Sequence, residues 1–246
     1  MPVRPPLLRK RISGALFIVG AMMGLVGNAL HPHTAGLDGA ATVQAIAQNG
    51  AWVAIHLTII VAILLIIGGL IGLTERLIGT SGGPLARLGV AAALLGGAVV
   101  TVSTAMDGFV MKALSLSSAA APAAETATAL RVATAVKAVD FGLWSIGILV
   151  LFGVAFACFG LAVIASRRFP AWFGWIAVIG AGGSAVAGLL QIAANGEVQA
   201  AETTLLVSTL LLTLWTLALG VWMWRGHEDA VAGAPSLDPA VADVRP

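Results

Sequence analysis

The stretch "WVAIHLTIIVAILLIIGGLIGL", residues 52–73, decides the fold class. His56 is its only ionisable residue, and no polar face recurs along it. A bilayer core about 30 Å thick is crossed by roughly 20 apolar residues in a helix. Five more stretches meet that requirement, at 12–30, 86–110, 139–165, 171–193 and 204–224. Hydrophobic residues make up 59% of the 246 and charged residues only 10%, which excludes a soluble globular protein. The expectation is an all-α, polytopic bundle of six transmembrane helices in a lipid bilayer, with little chain left for a soluble catalytic domain. The formal charge of +2 gives no reason to expect nucleic acid.

Basic residues set the orientation, because cytoplasmic loops collect Lys and Arg near span ends. Arg4, Arg9, Lys10 and Arg11 precede the first span. Arg76, Arg87, Arg167, Arg168 and Arg225 fall on the same side of later ones. Lys112, Arg131 and Lys137 are alone on the other side. Both termini are therefore expected in the cytoplasm of a bacterial inner-membrane protein. The domain reading is a basic N-terminus at 1–11, a transmembrane domain at 12–224 and a disordered cytoplasmic tail at 225–246. The basic start also suits a signal peptide, but the run is long and no clean cleavage site follows, so an uncleaved first span is expected. Trp172, Trp175, Trp222 and Trp224 fit a cytoplasmic aromatic belt and Trp52 an outer one, whereas Trp215 lies at a depth that suits packing.

Small-xxx-small pairs, Gly20/Gly24 and Gly68/Gly72, predict close helix packing within the chain rather than dimerisation. Residues 72–99 and 160–186 share a Gly-Leu, a basic loop, a Pro and a later Gly-Gly, which suggests two related hairpins in the same orientation. Cys158 lies inside the fourth span, has no cysteine to pair with, and reads as a packing residue.

The polar residues carry the functional signal. At about 1.5 Å per residue, twenty residues cover the bilayer core. Counting from Arg11, Arg76, Arg87, Arg168 and Pro170 puts Asn28, His31, His33, His56, Asp107, Asp140 and Gln191 at one depth, the outer leaflet boundary. Glu197, Lys112 and Lys137 lie just beyond. Ionisable groups at such depths usually face the bundle interior or a wet cavity. Asn28/His31, Trp52/His56, Ser103/Asp107 and Lys137/Asp140 are spaced to share helix faces, and Pro32 ends the first helix.

The leading expectation is an outward cavity lined by Asn28, Trp52, Asp107, Asp140 and Gln191. His31, His33 and His56 are its candidate ligands for zinc or another divalent metal, or the cavity takes a small polar head group. Alternatives are a b-type haem on His31 and His56, a proton or ion path through Asp107 and Asp140, and an accessory subunit with a membrane partner or a homo-oligomer. A purely structural role is the plain alternative, with Asp107, Lys112, Lys137 and Asp140 pairing to tie the third and fourth spans.

The N-x-x-H-P-H end of the first span, the W-x-x-x-H start of the second and the Asp-bearing third and fourth spans resemble uncharacterised multi-span bacterial membrane proteins. These are grouped under domain-of-unknown-function names. The resemblance implies a six-helix fold over 12–224 and no established activity.

Overall fold

The computed structural model describes residues 7–32, 39–194 and 198–226. His33, Glu197 and most of the expected tail lie outside the described residues. Among the described residues there are seven helices and no strand: α1 (Leu7–Leu30), α2 (Gly39–Gln48), α3 (Trp52–Leu77), α4 (Gly83–Ala119), α5 (Thr126–Ser166), α6 (Ala171–Ala194) and α7 (Gln199–Arg225). All but α2 are long and apolar enough to span a membrane. Hydropathy located every span, but α4 and α5 run well past the expected ends at 110 and 139. α1 begins at Leu7, inside the basic N-terminus expected over 1–11.

Each span packs on its neighbours in chain order, and α7 closes on α1, so the six form a ring. Glycine allows the close crossings. A Cβ at Gly20 would come within 2.9 Å of Ile66 on α3, and the α1–α3 contact also takes in Gly68, near Leu16. The small-residue pairs thus serve packing within the chain.

The ring is filled at one end only. In the half bearing Arg76 and Arg168, large side chains close the centre: Phe17, Leu70, Phe156, Phe159, Trp215 and Leu219 are all buried. The Trp215 indole donates to the Phe173 carbonyl at 2.8 Å, satisfying its one polar group. The two hairpin loops at this end are cross-tied: Arg168 donates to the Arg76 carbonyl and the Ser81 hydroxyl to the Ala165 carbonyl. Trp172, Trp175 and Trp224 are exposed there, as belt residues would be.

At the opposite end, the extensions of α4 and α5 hold α2 through a small second core of Val43, Ile46, Trp52, Met111 and Ala133. Two expectations are corrected here. Lys112 does not tie α4 to α5 by ion pairs. Its ammonium donates to the carbonyls of Ile46, Ala47 and Asn49 at 2.8–2.9 Å, where the end of α2 presents its carbonyl oxygens and a partial negative charge. Trp52 is not a belt residue: it is buried beneath α2 rather than lying at an interface.

Candidate metal centre and cavity

The unfilled half of the ring contains a cavity of about 360 Å³ lined by residues from all six spans. Its polar mouth is built by α1, α3, α4 and α5. His31 follows the last turn of α1, His56 lies one turn into α3, and Asp107 sits in α4 where the helix widens to π geometry over Met106–Met111. π stretches shift the phase of the residues that follow and recur at functional sites. Here the widened turn brings Gly108 against α3, where an added Cβ would lie 2.5 Å from His56 Cβ. Only glycine permits that approach.

Three atoms converge. His56 Nε2 lies 3.2 Å from His31 Nε2 and 3.1 Å from Asp107 Oδ2, and His31 Nε2 is 3.8 Å from the same oxygen. His56 Nδ1 lies 2.7 Å from the Trp52 carbonyl, which can only accept, so Nδ1 carries the proton. In a neutral imidazole that leaves Nε2 with a bare lone pair aimed at a carboxylate. A donor must stand between these atoms: a proton shared with the Asp107 carboxyl group, the Nε2–H of His31, or a metal ion in their place. Trp52 supports the group from behind. Its indole donates to the Asp107 carbonyl at 2.8 Å, and its ring packs on both imidazoles at centroid distances of 5.4 and 4.8 Å.

Lys137 stands 3.7 Å from both Asp107 Oδ1 and Asp140 Oδ2, so the expected Lys137–Asp140 pairing is present and extends to Asp107. Asp107 Oδ1 is buried and has no hydrogen-bond donor. Asp140 Oδ1 accepts from the Ser103 hydroxyl at 2.6 Å. Gln191 is buried on the cavity wall, its Oε1 accepting from Ser145 at 3.4 Å.

Of the residues expected at the site, His31, His56 and Asp107 meet, while Asp140 and Gln191 share the wall without touching them. Asn28 stays at the rim: it is exposed, and its amide donates to the Gly24 carbonyl of its own helix. Trp52 lies behind the wall, not on it. Glu202 and Lys137 were not expected to line the cavity, yet both do. Glu202 lies in the first turn of α7, ahead of the apolar run that marked that span, so hydropathy passed it over.

Below the mouth the wall turns apolar, running past Ile63, Ile66, Leu151 and Phe152 to Phe156. The second π stretch, Ile148–Ala155, forms part of this wall.

A six-span helical bundle of this kind, half packed and half hollow, is a multi-pass membrane protein. Residues 12–226 match the family model DUF4386, a domain of unknown function, and the chain belongs to that family. No curated protein and no solved structure matches it.

Proposed function

We propose that this protein holds a divalent metal ion, zinc foremost, on His31 Nε2, His56 Nε2 and Asp107 Oδ2, with a fourth position open to the cavity. The shape of the ligand triangle carries the reading. Zinc bonds of 2.0–2.1 Å in a tetrahedron put ligand atoms about 3.3 Å apart, and the three edges here are 3.1, 3.2 and 3.8 Å. The His56–Trp52 hydrogen bond is the outer support a ligating histidine needs to hold its tautomer. Three protein ligands and one open position is the pattern of reactive rather than structural zinc, which supports a Lewis-acid centre able to polarise a bound head group or activate water.

The same distances disfavour haem. Axial nitrogens on opposite faces of an iron would stand about 4 Å apart, with the macrocycle between them. Here they are 3.2 Å apart, and Asp107 Oδ2 lies beside both. An ion path across the bundle finds no support in the Phe- and Trp-filled half. By the distribution of basic residues, the Arg-bearing end faces the cytoplasm of an inner membrane and the metal centre faces outward.

Metal analysis of the detergent-purified chain tests the proposal. About one zinc per chain is expected, falling to background in His56→Ala. Metal-free wild-type protein that also fails to take up added zinc would leave an imidazolium–carboxylate ion pair as the reading of the triangle.

A further inference from the structure

We infer that the cavity is the binding site of a single-chain amphiphile, its oxygen-bearing head at the His31–His56–Asp107 end and its hydrocarbon chain in the apolar shaft below. The placement of the head rests on the metal reading; that of the chain does not.

The shaft has the right dimensions. Along α3 the lining runs from His56 to Ile67, and along α7 from Glu202 to Thr213. Each is eleven residue steps, about 16 Å of helix, or roughly half the bilayer core. A space of about 360 Å³ drawn out over that length is long and narrow, the shape of an extended hydrocarbon chain. The volume falls toward the small end of ligand sites, which span roughly 300–1,000 Å³.

The chemistry of the wall changes with depth. In the shaft, the hydroxyls of Thr104, Thr209 and Thr213 all donate to carbonyls of their own helices, at 2.7–2.8 Å. Their protons are therefore spent within the helix and are not offered to water. A cavity without free polar groups stays dry and accepts apolar guests. At the mouth the reverse holds. The Lys137 ammonium stands 3.7 Å from its two carboxylates, too far for a tight hydrogen bond, and so can turn a donor to an incoming oxygen. The open metal position would take a second oxygen of the same head. A carboxylate and a phosphate monoester both meet this description, and an uncharged alkane does not.

Native mass spectrometry and calorimetric titration of the full chain in detergent test this, with palmitate, hexadecyl phosphate, hexadecane and a diacyl phosphatidylglycerol as probes. Saturable binding of one palmitate or one hexadecyl phosphate is expected, the tighter of the two identifying the head. Hexadecane and the diacyl lipid should bind at least tenfold more weakly. Thr209→Phe and Thr213→Phe, which fill the shaft from α7, should each weaken the single-chain probe at least tenfold while zinc content stays at wild-type level. Leu214→Phe, on the exposed face of the same helix, should change neither. Zinc-loaded protein with no saturable chain binding, binding untouched by both shaft substitutions, or equal affinity for the diacyl lipid would overturn the inference and leave the metal reading standing. Chain binding lost in Thr209→Phe by a protein that never takes up zinc would keep the shaft and remove the metal.

Discussion

The two halves of the ring are made by the same six helices, yet one is solid and the other hollow. In the Arg-bearing half, Phe17 from α1, Leu70 from α3, Phe159 from α5 and Trp215 from α7 are buried in one contiguous apolar core. In the other half, Phe141, Trp144 and Phe152 line the space rather than fill it, beside polar groups bonded to each other or to their own backbones. Lipid supplies no hydrophobic drive for helix association, so van der Waals packing holds such a bundle together. The solid half therefore carries most of the tertiary stability. The hollow half forgoes packing and relies on polar ties between neighbouring spans, among them His56 to Asp107 and Ser103 to Asp140. The tightest packing sits at one end, and the proposed binding site at the other.

The division is sharpest under truncation. Phe159→Ala should cost about 4 kcal/mol in detergent unfolding, because its cavity would open among fully packed neighbours. Leu205→Ala, on the cavity wall, should cost about 1 kcal/mol or less, since that side chain already lacks partners on one side. Equal costs would mean that the hollow half is not hollow in the membrane.

Gly108→Ala should be the most damaging small change at the mouth. Its methyl group must displace His56 or part α4 from α3, so zinc affinity should fall about 100-fold, the upper end of what the loss of an outer-shell support costs. Zinc titration against a competing chelator would measure it.

Lys112→Met removes the donor to three carbonyls at the end of α2, worth about 2 kcal/mol locally for charge-assisted bonds. Faster hydrogen exchange is expected in α2, with zinc content and the solid half unchanged. Among the changes at the mouth, the smallest effect on zinc is expected of Trp52→Phe. It keeps the ring but loses the bond to the Asp107 carbonyl, which should weaken zinc about tenfold. An unchanged affinity would show that the widened turn of α4 holds Asp107 without that bond.

Much of the site was legible because depth is a local property. Each residue adds a fixed rise, so counting from the basic loops placed His31, His56, Asp107, Asp140 and Gln191 at one level. Rotation about the helix axis is not local. Ser103 and Asp107, four apart, were expected to share a face. Both do line the cavity, but which neighbour each one meets was not legible: Ser103 reaches Asp140 and Asp107 reaches His56. Asn28 and His31 share spacing too, but the helix has ended at Leu30, so His31 turns inward while Asn28 stays at the rim. Helix α2, "GAATVQAIAQ", is short, Ala-rich and uncharged, and a search for long apolar runs passes over it.

What the sequence determined by itself was the number of spans and the level of the polar residues, since hydropathy and helical rise act residue by residue. Which side chains meet, and that half of the ring stays open, was decided only by tertiary structure. Glycine contacts, two widened turns and the bulk of a few aromatic side chains set how each helix is rotated against the next.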